Sequence, residues 1–168
     1  MKSTLILIFF ALIISGCSRK TDKVYMDAAE KSTQSKNYSE ALKSYQELLK
    51  EYPDSKNAPE AMVKMASLYM SHADTSLDQM QSYERAAELF RQVYNKYPKS
   101  EQAPQALFMS GFVLSNNLAQ YGAATKTYQL FLEKFPNHQL AKSAKEELNN
   151  MGMSPDDILK KNRKSKSI

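Results

Sequence analysis

The sequence predicts an all-α fold: a solenoid of about three antiparallel helix pairs with a C-terminal capping helix. Three observations predict it. A block of related sequence occurs three times, at residues 38–61 (YSEALKSYQELLKEYPDSKNAPEA), 83–106 (YERAAELFRQVYNKYPKSEQAPQA) and 121–144 (YGAATKTYQLFLEKFPNHQLAKSA), with successive copies 45 and 38 positions apart. A period of this size marks stacked repeats, because a single helix pair cannot bury its apolar face alone. Within each block the apolar residues recur at helical spacing: Ala41, Leu42, Tyr45, Leu48 and Leu49, then Ala86, Leu89, Phe90 and Val93, then Ala124, Tyr128, Phe131 and Leu132. The 168 residues are 42% hydrophobic, contain only four Gly and show no alternating apolar run that would signal a strand.

The elements follow in order. Residues 1–16 read as a targeting signal, with Lys2 as the positive start, an apolar run over 5–14 and the small pair Ser15-Gly16. Ten apolar residues fall short of the roughly 20 that cross a bilayer, so the run is a signal rather than a membrane span. Cys17 is the only cysteine and can form no intramolecular disulfide. Residues 17–22 are then expected to form a polar tether, and 23–151 the repeat domain. An amphipathic pattern over 24–36 (Tyr25, Ala28, Ala29, Ser32) supplies the first helix, ended by Asn37.

The second helix of each unit must stop at an aromatic-Pro pair, Tyr52-Pro53, Tyr97-Pro98 or Phe135-Pro136, since the residue before proline is driven out of the helical region. Ser55 and Ser100 are expected to cap the helices that follow, with Pro59 and Pro104 in or near their first turns. Residues 72–82 (HADTSLDQMQS) form a polar insert, either a loop or a helix extension. The capping helix is expected over 138–151, with Ala141, Ala144 and Leu148 on its buried stripe and Gly152 at its end. In the final stretch, 152–168, Ser154-Pro155-Asp156-Asp157 opens one more short helix, and the basic KKNRKSKSI is expected to be a disordered tail.

Two resemblances add to this reading. Ile14-Ser15-Gly16-Cys17 resembles the lipobox of bacterial lipoproteins. The resemblance implies cleavage before Cys17, acylation of that cysteine (palmitate among the chains) and, with Ser18 rather than Asp following, delivery to the periplasmic face of the outer membrane. Several acyl chains would hold firmly, where a single one holds only marginally. The repeat itself, 34 residues when counted back from Pro53, resembles the tetratricopeptide repeat. The features that carry this are the small pairs Ala29 with Ala41, Ala66 with Ala86 and Gly111 with Ala124, each followed by Pro53, Pro98 or Pro136.

That family implies a concave face lined by the first helix of each unit. Mapped onto this chain, the candidate partner-binding residues are Met26 and Glu30, then Val63, Ser67 and Met70, then Phe108, Phe112 and Asn116. Phe108 and Phe112 either form an anchor pocket for an extended or helical segment or pack under the terminal helix. The Lys and Asn residues with which some members clamp a terminal carboxylate are not at these positions. The motif aromatic-Pro-x-Ser-x-x-Ala-Pro-x-Ala (52–61 and 97–106) is most similar to Gram-negative envelope proteins of two kinds. One is the repeat lipoprotein of the outer-membrane β-barrel assembly machine, which the lipobox favours although that family normally carries about five repeats. The other is the soluble coordinator of the Tol-Pal system.

Charge and chemistry narrow the function further. The net charge is +5, but the positive residues interleave with Glu along the helices, so these are solvated faces rather than a nucleic-acid footprint. Only the C-terminal tail forms a basic run, suited to anionic lipid or glycan. His72 and His138 fall in different repeats and assemble neither a metal cluster nor an acid/base pair. No glycine loop cradles a phosphate, and Glu146-Glu147 and Asp156-Asp157 are sequence neighbours that do not face each other on a helix. Met62, Met65 and Met70 read as core filler. The expectation is an adaptor with no enzymatic activity, no metal and no cofactor, binding protein partners of the envelope such as a β-barrel assembly protein. The rivals are a Tol-Pal or cell-division scaffold and a peptidoglycan-enzyme accessory, the last requiring an acidic pair in a cleft.

Overall fold

The computed structural model describes residues 20–165; Cys17 and the signal segment lie outside them. Eight α-helices follow one another: α1 (Asp22–Gln34), α2 (Tyr38–Glu51), α3 (Ala58–Met70), α4 (Gln79–Lys96), α5 (Gln102–Phe112), α6 (Tyr121–Lys134), α7 (Ala141–Asn150) and α8 (Pro155–Ser165). There is no strand among the described residues. α1/α2, α3/α4 and α5/α6 are the three pairs, and each first helix also packs on the second helix of the unit before it.

The small residues sit where the repeat needs them. Ala29, Ala41, Ala66, Ala86 and Ala124 are completely buried at the helix contacts, where a longer side chain would push the backbones apart. At Gly111 a Cβ would stand 2.9 Å from Cε1 of Tyr128. The aromatic residues before proline terminate α2, α4 and α6 by leaving the helical region, with φ of −135° at Tyr52, −128° at Tyr97 and −132° at Phe135 and ψ of 56°, 55° and 51°. Two of them also join neighbouring elements. The Tyr97 hydroxyl donates to the Pro53 carbonyl at 2.8 Å and the Tyr52 hydroxyl to the Lys20 carbonyl at 2.6 Å. Phe135 has no hydroxyl and instead packs edge-on against Tyr94 at 6.0 Å.

Helix ends account for most departures from expectation. α1 spans Asp22–Gln34 because Thr21 caps it, its Oγ1 accepting the Val24 N–H at 3.4 Å. Asn37, expected to end α1, caps α2 by accepting the Glu40 N–H. Residues 20–22 are therefore docked, not a free tether. Ser55 and Ser100 do not cap α3 and α5 through their side chains. Their carbonyls take the Ala58 and Ala103 N–H groups instead, and the Ser55 hydroxyl donates to Asp22 and accepts from the Asn57 N–H at 3.0 Å.

The 72–82 insert is both loop and helix. Its first part is irregular, and from Gln79 it forms the opening turn of α4. That turn is fixed by a capping box in which Asp78 Oδ1 accepts from Gln81 N–H at 2.8 Å and Gln81 Oε1 accepts from Asp78 N–H at 3.1 Å. α7 begins at Ala141, later than expected, and the basic residues 160–165 continue α8 instead of forming a disordered tail.

Each first helix of a pair closes in a left-handed residue that is not glycine: Lys36 (φ 60°), His72 (φ 53°) and Ala119 (φ 52°). Long-reaching bonds, Asn37 N–H to Ser32 O at 2.8 Å and Ala73 N–H to Leu68 O at 3.0 Å, satisfy the last carbonyls. α5 reaches Ala119 through a π-helical turn, Val113–Asn117, which takes up part of the extra length between Pro104 and Ala119 relative to the stretch from Pro59 to His72. The core is a large cluster spanning α1 to α5 and a smaller one of Leu107, Phe108, Tyr128, Phe131, Ala141 and Ala144 under the C-terminal helices.

Candidate partner-binding groove

α3 and α5 run side by side as first helices of consecutive pairs, and the space between them is floored by Phe90 of α4. Val63, Ser67 and Met70 project from α3 one turn apart; Gln105, Ala106 and Met109 face them from α5. Together with Gln102 they enclose about 230 Å³. Phe90 and Ala106 are buried, Val63, Met70 and Met109 half-buried, and Gln105 exposed at the rim. The Ser67 hydroxyl donates to the Val63 carbonyl at 3.0 Å, and Val63 and Met70 are the apolar part of the α3 wall. No lining residue carries a charge.

This is a slot for an apolar side chain. Its Met walls adapt to shape, and the Gln102 and Gln105 amides can bond to the backbone of an extended segment.

The predicted site residues divide. Val63, Ser67 and Met70 line this groove. Met26 does not, being 7% exposed in the large core cluster, and Glu30 is half-buried on α1 outside it. Phe108 is also buried, at 9% exposure, with its ring edge-on to Tyr128 at 5.5 Å and to Phe131 at 5.9 Å. Phe112 is half-buried against the same cluster. Of the two readings of this pair, an anchor pocket or packing under the terminal helix, the second describes the structure, and the candidate binding role of Phe108 and Phe112 is corrected: Tyr128 and Phe131 of α6 and Ala141 and Ala144 of α7 pack against that face of α5. Asn116 is exposed, its Nδ2 donating to Ser115 Oγ at 2.9 Å and to Glu147 at 3.4 Å.

Sequence reasoning missed Gln105 and Met109, which replace Phe108 and Phe112 as the α5 wall. Gln102, Gln105, Ala106 and Met109 are themselves at helical spacing, so two stripes compete on one helix. The more hydrophobic stripe is the one that packs.

A larger cavity, about 540 Å³, opens beside α7 and includes Tyr121, Glu146, Glu147 and Asn150. The two glutamates both line it, although they are neighbours in sequence. Glu147 is taken by Asn116, and Glu146 lies 3.9 Å from Lys142. Its walls mix these carboxylates with Met151, Met153 and Ile158, whereas no charged residue lines the groove between α3 and α5, so an apolar anchor enters the smaller groove without meeting a charge, and that groove is the better docking site. Among the described residues no three His, Cys, Asp or Glu side chains gather as a metal-binding group, and no helix is long and apolar enough to cross a membrane.

Burial also perturbs tyrosines near the repeat contacts. Desolvation pushes the Tyr128 hydroxyl well above the ordinary phenol range. Its oxygen finds no partner at bonding distance; the Ser115 hydroxyl donates to the Phe112 carbonyl at 3.1 Å.

No curated protein matches the chain. The tetratricopeptide repeat pattern does, over residues 24–55, 60–100 and 105–138, which cover most of the helices that build the three pairs and the groove. With its register set by buried Ala and Gly contacts and its units closed by aromatic-Pro pairs, the chain belongs to the tetratricopeptide repeat family, whose repeats mediate protein–protein contacts.

Proposed function

We propose that the protein is a lipid-anchored adaptor without chemistry of its own, held at the periplasmic face of the outer membrane through acylated Cys17 and recognising a protein partner in outer-membrane protein assembly. In this reading residues 1–16 are the removed signal, Cys17 carries the lipid, and the repeats over 23–151 do the binding. The observation that carries it is the groove between α3 and α5: an uncharged slot with Phe90 at its floor and glutamine amides at its rim. Such a slot suits an apolar anchor residue on an extended or helical segment of a partner. The lipobox-like sequence before Cys17 supports the membrane attachment.

The test is crosslinking of the native protein in solubilised envelope, followed by mass spectrometry of what it captures, alongside Met109→Glu. Enrichment of a β-barrel assembly protein that Met109→Glu abolishes is the expected result. Enrichment of Tol-Pal components or peptidoglycan enzymes instead would place the adaptor in another envelope pathway. Capture unchanged by Met109→Glu would remove the groove from the recognition surface. Cys17→Ser is expected to release the protein from membranes with its helical content intact, and persistent membrane binding of that variant would refute the lipid as the sole attachment.

A further inference from the structure

We propose that one corner of the first repeat, made by the start of α1 and the turn between α2 and α3, lies against the headgroup layer of a phospholipid bilayer and presents Lys20, Lys23, Val24 and Lys56 to it. This rests on the lipid-anchored reading of Cys17 and goes beyond it, because an anchor alone leaves the orientation of the repeats open.

The first support is mechanical. Lys20 is clamped to the domain: its carbonyl accepts the Tyr52 hydroxyl at 2.6 Å, and the rings of Tyr25 and Tyr52 meet with centroids 6.4 Å apart. Two residues later, Asp22 accepts hydrogen bonds from Ser55 and from Asn57 Nδ2, the latter at 3.2 Å, which tie α1 to the same turn. That turn is fixed in its own right by the Tyr97 hydroxyl on the Pro53 carbonyl. Cys17 precedes Lys20 by three residues, and an extended chain covers at most about 3.6 Å per residue, so Cys17 can lie no farther than roughly 11 Å from this clamp. A lipid on Cys17 therefore keeps this corner within that distance of the headgroups. α7 and α8, at the opposite end of the array, are under no such constraint.

The second support is composition. Lys20, Lys23 and Lys56 are exposed, and Val24, at 46% exposure, is among the few large apolar side chains left open to solvent in the described residues. The half-buried rings of Tyr25 and Tyr52 stand beside them. Lysines that reach phosphates, an open aliphatic and amphipathic tyrosines are the groups that suit a membrane–water interface. Of the nearby acids, Asp22 is turned inward onto Ser55 and Asn57 and Glu51 is half-buried, while Asp27 on α1 and Asp54 on the turn are exposed.

The chain contains no tryptophan, so a single introduced one is a clean reporter. The full chain carrying Val24→Trp, Lys56→Trp or Lys142→Trp would be purified in lipidated form and reconstituted into vesicles of phosphatidylethanolamine and phosphatidylglycerol doped with a headgroup-nitroxide phospholipid. The expected result is at least threefold stronger quenching for V24W and K56W than for K142W on α7. Equal quenching at all three positions, with the N-terminal peptide shown by mass to be acylated, would overturn the orientation and leave the anchor standing. An unacylated N-terminal peptide would overturn the anchor and this inference together.

Discussion

Gly111→Ala is the substitution on which helix propensity and packing disagree. Propensity alone predicts stabilisation by about 1 kcal/mol, because glycine in a helix interior is that much less favourable than alanine. The packing at α5 and α6 opposes it. A Cβ at Gly111 would stand 2.9 Å from Tyr128 Cε1 and 3.1 Å from both Cδ1 and Cζ, well inside ordinary van der Waals contact. Nor can the ring retreat. Tyr128 is fully buried, and Phe108 meets its edge with centroids 5.5 Å apart.

Overpacking of this kind costs about 1 to 3 kcal/mol, so the net effect is destabilisation of up to about 2 kcal/mol. Gly122 is the control, since a Cβ there meets nothing within 4 Å, and Gly122→Ala is expected to stabilise by up to about 1 kcal/mol. Urea unfolding followed by circular dichroism at 222 nm would order the midpoints as Gly122→Ala above wild type above Gly111→Ala. A Gly111→Ala midpoint above that of wild type, matching the gain of Gly122→Ala, would refute the close approach of α5 to Tyr128, and with it the register of the third pair.

Other outcomes follow from the same geometry. Ala86→Leu or Ala124→Leu, both at completely buried positions, should destabilise by about 1 to 3 kcal/mol in the same unfolding experiment; an unchanged midpoint would contradict the repeat register. Ala119→Gly and Lys36→Gly relieve left-handed backbone and should each stabilise by roughly 1 kcal/mol. His72→Gly should gain less, because it loses the 3.1 Å contact of His72 Nδ1 with the buried Ser82 hydroxyl, so equal gains at all three would show that contact to be idle. Asp22 is held below the ordinary carboxylate range, chiefly by the Ser55 hydroxyl. Its ionised form is therefore favoured by folding, and its contribution is present at neutral pH and lost as the pH falls below about 4 through the lowered value. The stability difference between wild type and Asp22→Asn should accordingly shrink on acidification, and a difference that grew would reverse the assigned sign.

The sequence by itself determined the fold class and the positions of the units. Three copies of a helical apolar stripe, each cut by an aromatic-Pro pair, leave little choice: proline ends each helix through its own backbone geometry, and the small residues mark where helices must touch. These are local causes, so they are legible in one chain. The site was legible only in part, and α3 and α5 show why. Val63, Ser67 and Met70 face the groove that α5 and Phe90 of α4 close. On α5 two stripes have helical spacing, and nothing local chooses between them. The choice fell to α6 and α7, whose Tyr128, Phe131, Ala141 and Ala144 cover the phenylalanine side and leave Gln105 and Met109 facing α3. The docking of Lys20 onto Tyr52 was likewise invisible beforehand, since it joins residues 32 positions apart. Such contacts depend on the angle at which successive pairs stack, and that angle is set only when the whole array packs.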